Sequence, residues 1–135
     1  MADRRNRVLL LTGFGPFPGA PVNPSAEVVR RIVAGPLAAR LGIDIVPHVF
    51  DTTYAALEVL PEFLAAVRPD IVLHLGIAAR TRALRVETRA INFTAPFLPD
   101  AAGSAPERGA IEPGAPRCRP ATLPVRRMRE RIAGT

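Results

Sequence analysis

Apolar residues in this chain fall into short runs separated by stretches of helical spacing. Arg7-Val-Leu-Leu-Leu-Thr12 is continuous and stops at Gly13, the pattern of a strand buried on both faces, as in a parallel sheet. Asn23-Pro24-Ser25 then predicts a helix start. Asn caps, and Pro24 at the first helical position gives up only an N–H that would be orphaned there anyway. Val28, Val29, Ile32 and Val33 form one apolar face, and Gly35-Pro36 ends the helix. Ile43–Phe50 predicts a second strand, in which Pro47 favours an edge or a bend. Asp51-Thr52-Thr53 offers N-caps for a helix running to about Val67, with Leu57, Leu60, Leu64 and Val67 on one face and a kink at Pro61. Asp70–Gly76 predicts a third strand, and Ala83–Asn92 a fourth, weaker one. Residues 93–121, rich in Pro, Gly and Ala, predict a long ordered loop, and Pro124–Ile132 predicts a last amphipathic helix. The order β-α-β-α-β-β-loop-α predicts a single α/β domain over 1–135. Its central sheet should be parallel-rich with helices on both faces, an α/β/α sandwich.

Composition narrows the classes. The chain has 135 residues, 48% hydrophobic and 22% charged, which is incompatible with a disordered tail. No apolar run approaches the roughly 18–20 residues of a membrane span, and the apolar stretch after Arg4, Arg5 and Arg7 is too short for a secretory signal. One Cys makes no internal disulfide, so the default expectation is a cytoplasmic protein without a membrane partner. All 18 basic residues are Arg, against 12 acidic ones, for a net charge of +6. Residues 117–135 hold six Arg and one Glu, so +5 of that charge is terminal. No aromatic interleaves this stretch, and the expectation is no nucleic-acid partner.

The candidate chemistry is sparse. Gly13-x-Gly15-x-x-x-Gly19 echoes a dinucleotide loop. Its spacing is one residue too long, and Pro16 and Pro18 remove N–H groups that a pyrophosphate would need. Cys118, His48 and His74 show no metal-ligand spacing, so neither metal nor cofactor is expected. Cys118, between Arg117 and Arg119, reads as a surface-loop cysteine in preference to a nucleophile. His74 reads as a structural or strand-end histidine, and His48 similarly. Glu87 stands in a strand flanked by apolar residues, where a carboxylate is costly unless paired or functional. Pairing with Arg85 or Arg89 is one account, and orienting a catalytic His is the other.

Val8-Leu-Leu-Leu-Thr-Gly-Phe-Gly-Pro-Phe-Pro-Gly19 followed by Val22-Asn-Pro-Ser25 resembles the opening of the pyrrolidone-carboxylate peptidases (pyroglutamyl peptidase I). Leu73-His-Leu-Gly76, Val86–Asn92, Leu98-Pro-Asp100 and Ala121-Thr-Leu-Pro124 resemble later segments of that family in the same order. The resemblance implies a cytosolic cysteine peptidase that releases N-terminal pyroglutamate from peptides. In such an enzyme a Cys attacks the amide carbonyl, a His acts as base, and a Glu fixes the His tautomer. It makes Glu87 that orienting carboxylate, and Phe14 and Phe17 the aromatic walls of the pyrrolidone pocket. A neutral lactam suits an apolar slot.

The departures are as informative. The family's nucleophile follows the last helix, in a segment resembling Ser-Asn-x-Ala-Gly-x-x-x-Cys-Asn, and its His lies further on. Cys118 precedes the Thr122-Leu123-Pro124 helix start and matches neither. Phe97 stands where the family usually has an Arg near the oxyanion site. The expectation is therefore a C-terminally incomplete domain, truncated or divergent and inactive by itself. The alternative is a non-catalytic homologue that binds a small lactam or a protein partner through the Phe-lined pocket. An uncovered sheet edge would invite self-association, and the oligomeric state stays open.

Overall fold

The structure is a computed structural model that describes residues 5–94 and 98–134. Packing divides it into two compact units, one built from residues up to 77 together with 98–105, the other from 78–94 and 106–134.

The first unit carries three parallel strands in the order β2-β1-β3: β1 (Arg7–Phe14), β2 (Ile43–Phe50) and β3 (Ile71–His74). Leu9 faces Ile45 on one side and Ile71 on the other, so β1 is the central strand. Its apolar run is explained by that place: Leu10 and Leu11 are 0% and 1% exposed, each contributing about 2 kcal/mol of apolar burial. Pro47 is tolerated because β2 pairs with β1 alone among the described residues. Helix α1 (Pro24–Ala34) starts where the sequence predicts it. The Asn23 side chain accepts a hydrogen bond from the Ser25 amide, and Gly35 ends the helix. A single turn of helix, α2 (Leu37–Leu41), follows and closes on Gly42 in the left-handed conformation (φ +61°). The sequence pattern did not predict it.

Helix α3 (Ala56–Val67) begins later than its cap candidates suggest; its first residue follows Ala55, which makes no side-chain cap. The chain leaves β1 toward β2 and returns across β1 to β3. With the right hand that parallel crossovers take as a rule, two crossovers in opposite directions put their helices on opposite faces of the sheet. Pro47, His48 and Val49 line a shallow hollow with Val29 and Val33 of α1, and the rings of His48 and Phe50 lie 4.4 and 5.9 Å from Phe63 of α3.

The second unit holds a two-stranded antiparallel ribbon, β4 (Arg89–Ile91) with β5 (Cys118–Pro120), and helix α4 (Val125–Ala133). Two expectations are corrected here. The predicted fourth strand shrinks to three residues, and the predicted loop over 93–121 contains a strand. Asn92 fastens this loop: its side chain donates to the carbonyl of Glu112 and accepts from the Glu112 amide, both at 2.8 Å. No helix among the described residues is long and apolar enough to cross a membrane.

Candidate functional site

The loop after β1 is built around its glycines and the Asn-Pro-Ser helix start. The Phe14 amide donates to Ser25 Oγ at 2.9 Å. The carbonyl of Gly15 accepts from Asn23 Nδ2 at 3.1 Å and from Thr52 Oγ1 at 2.8 Å. The Gly15 amide donates to the carbonyl of Phe50. Asn23 thus caps α1 with its oxygen and holds the loop with its nitrogen, which is why Asn serves here. Phe17 and Ala20 exchange two backbone hydrogen bonds and close the turn Phe17–Ala20. Gly19 lies inside that turn, where a Cβ would stand 3.0 Å from the Phe17 ring and 3.4 Å from Leu98. Its missing side chain leaves the ring room to lie there.

These constraints form one wall of a cavity of about 350 Å³ at the carboxyl ends of β1 and β2, lined by Phe14, Phe17, Thr52–Tyr54, Leu57 and Leu98–Asp100. Open α/β sheets place ligands outside the carboxyl ends of their strands. Phe14 is backed by Phe50, with ring centroids 6.2 Å apart, and Phe50 itself is 6% exposed. The opposite wall was not found in the sequence. Thr52, read there as a cap candidate, instead donates its hydroxyl to the first loop. Asp100 accepts from the Tyr54 amide at 2.9 Å and from the amides of Ala102 and Ser104. These backbone donors, that of Tyr54 foremost, hold its carboxyl below the usual aspartate range.

The structure places Phe14 and Phe17 together on this cavity. It places Glu87 in the second unit, outside β4, with its side chain 70% exposed and 3.4 Å from Arg85. The expectation of a carboxylate within a buried strand is thereby corrected: the strand starts at Arg89, beyond it. Phe97 lies outside the described residues. Cys118 is exposed, on β5 opposite Ile91. His48 packs its ring between Phe50 and Phe63.

His74, at the end of β3, shares a 2.7 Å hydrogen bond between its Nδ1 and Thr12 Oγ1. The residue is exposed in area, yet its ring lies close enough to the sheet for desolvation to lower its pKa below the ordinary 6.5. The Thr12 hydroxyl donates to Nδ1 or accepts from it according to the state of the ring, so the shift comes from desolvation alone. The unfolded chain therefore binds the proton more readily than the folded one. Stability from this group is complete above pH 6.5 and is lost as pH falls from there through the folded pKa. The expected result is a melting temperature that drops between pH 7 and 5, with a shallower drop in His74→Gln. Parallel profiles for the two proteins would contradict it.

Comparison with known proteins bears on the same region. The family model described as pyroglutamyl peptidase matches residues 7–135. The pyrrolidone-carboxylate peptidase of Levilactobacillus brevis is 38% identical over 124 residues, covering 92% of this chain and 59% of the relative. Among solved structures, a mutant pyrrolidone carboxyl peptidase from the hyperthermophile Pyrococcus furiosus superposes with a TM-score of 0.85 at 29% identity, covering 94% of this chain and 60% of that one. Pyroglutamyl peptidase I of Bacillus amyloliquefaciens superposes with a TM-score of 0.80 at 35% identity, covering 96% and 62%. The chain spans about three fifths of the length of these relatives.

Proposed function

The chain belongs to the pyroglutamyl peptidase family, and from that premise we propose that its cavity receives the neutral lactam ring of an N-terminal pyroglutamyl residue. The observation that carries this reading is the lining. Phe14, Phe17, Leu57, Leu98 and Pro99 supply apolar walls. Asp100, the lining residue that carries charge at neutral pH, has its oxygens engaged by three backbone amides. An ordinary N-terminal ammonium entering this slot would lose its hydration without gaining a free counter-ion, a cost a lactam avoids.

By the same reading Phe14 and Phe17 are the substrate-binding rings and Glu87 is the carboxylate that orients a catalytic His. The family's nucleophile and base have no counterpart among these 135 residues: Cys118 sits before the α4 start, and His48 and His74 are engaged with Phe63 and Thr12. These residues alone are thus the ring-binding part of a cysteine peptidase and are inactive without that Cys and His. The single cysteine favours a cytoplasmic setting. The cavity, formed without Cys118, also supports the second reading, a homologue that binds a lactam or a protein partner without cleaving it.

Tyr54 is the chain's one tyrosine and there is no tryptophan, so tyrosine emission reports on the cavity alone. Titration with pyroglutamic acid amide is expected to change that emission saturably, and prolinamide, a ring of the same size bearing an ammonium, is not. Equal responses to both, or a preference for prolinamide, would remove the lactam reading.

A further inference from the structure

Two stretches nearly fifty residues apart line opposite parts of the cavity, Thr52–Leu57 and Leu98–Asp100. No helix or ladder seats the second against the first, since residues 98–105 form neither. Hydrogen bonds to Asp100 and its neighbour do this instead. Oδ2 of Asp100 accepts from the Tyr54 amide at 2.9 Å, and the Ala101 amide donates to the Thr52 carbonyl at 3.0 Å. On its own side of the cavity, Oδ1 accepts from the amides of Ala102 at 2.9 Å and Ser104 at 2.8 Å. The turn closes with the Asp100 amide on the Ser104 carbonyl and the Gly103 amide on the Asp100 carbonyl, Gly103 having φ +82°. One carboxylate therefore fixes the shape of its own turn and ties that turn to the loop after β2. Bonds to an ionised acceptor are the stronger kind, and Asp100 is 9% exposed.

We propose that Asp100 is a positioning residue for the cavity: its carboxylate ties the Leu98–Asp100 wall to the β2–α3 loop and so sets how tightly the cavity grips its occupant. The nature of that occupant rests on the lactam reading; the tie does not. No other acidic side chain lines the cavity among the described residues, so neighbours offer no substitute.

The test uses Asp100→Asn and Asp100→Ala in the full chain. Asn keeps the size but has one acceptor oxygen and a donor in place of the other, so it cannot serve the Tyr54 amide and the Ala102–Ser104 pair together. Ala serves none of them. Hydrogen exchange of the Tyr54 amide is expected to quicken at least tenfold in both variants, while Leu10–Thr12 in β1 stay protected. Affinity for 2-pyrrolidone, read by Tyr54 emission, is expected to fall about tenfold in Asn and at least as far in Ala. Should Ala fail to fold, Asn carries both readouts. Unchanged exchange at Tyr54 overturns the tie. Faster exchange with unchanged affinity overturns its control of the grip. A wild-type chain that binds no 2-pyrrolidone removes the lactam reading instead, and the exchange of Tyr54 still decides the tie.

Discussion

Replacing Gly13 by Ala is expected to cost about 3 kcal/mol, at the upper end of what overpacking does and a large share of the stability of a small domain. A Cβ on Gly13 would lie 2.8 Å from the carbonyl oxygen of Ser25, 2.9 Å from its carbon and 3.1 Å from the Ala26 nitrogen. All three are backbone atoms in the first turn of α1, so no side chain can swing away to relieve the contact. The helix cannot retreat either. Asn23 holds the Ser25 amide and hydroxyl, Ser25 Oγ holds the Phe14 amide, and Ala26 and Val29 are buried against the sheet. The φ of Gly13 is not positive, so the effect is steric, and the entropy that Ala removes from the unfolded chain, about 0.4–1 kcal/mol, offsets little of it. Urea unfolding should show a lowered midpoint with an unchanged slope. Gly76→Ala is the control: a Cβ there meets nothing within 4 Å, and its loss should stay below about 0.5 kcal/mol. Similar losses at the two positions would contradict the close approach of α1 to β1.

The same contact shows why half of the molecule could be read from its sequence. β1, β2, β3 and α1 declare themselves by period and by caps, because each depends on its own side chains meeting the core. Asn23 was legible as a cap for this reason, though its second bond, to Gly15, was not. The start of α3 was misplaced because Thr52 donates to the β1 loop instead of capping its own helix, a demand that comes from elsewhere in the fold. β5 left no signal at all. Cys118-Arg-Pro120 has neither alternation nor β-branched residues, and it is a strand only because Arg89–Ile91 lies beside it. Non-local pairing of this kind outweighs local propensity. In the cavity, Phe14 and Phe17 came from resemblance, while Thr53, Tyr54 and Leu57 carry no pattern that reports their meeting with Leu98 and Asp100. Glu87 was legible as an anomaly for the wrong reason: its neighbours look like a strand, yet it is exposed beside Arg85.

That exposure makes the role of Glu87 open to a decisive measurement. The 135-residue chain is expected to release no chromophore from a pyroglutamyl amide above background, with or without Cys118→Ala. Turnover that depends on Cys118 would overturn its assignment as a bystander. A fusion of this chain to the part of the Bacillus amyloliquefaciens relative that the match leaves uncovered would supply the Cys and His that the family resemblance places after the last helix. Such a fusion is expected to hydrolyse the substrate. Within it, Glu87→Gln should lower kcat by a factor on the order of 10³–10⁴, the loss expected when an orienting carboxylate becomes an amide and the His takes the wrong tautomer. Stability should barely move. The Arg85 pair spans 3.4 Å between side chains 60% and 70% exposed, and surface pairs of that kind contribute between about 0 and 1 kcal/mol. A large kinetic effect without a thermodynamic one separates an orienting group from a structural ion pair. Arg85→Ala extends the separation, because it breaks the same pair while leaving the carboxylate: its kcat should stay within about threefold of the parent fusion. If Arg85→Ala and Glu87→Gln lose activity equally, the ion pair matters and the carboxylate has no role of its own.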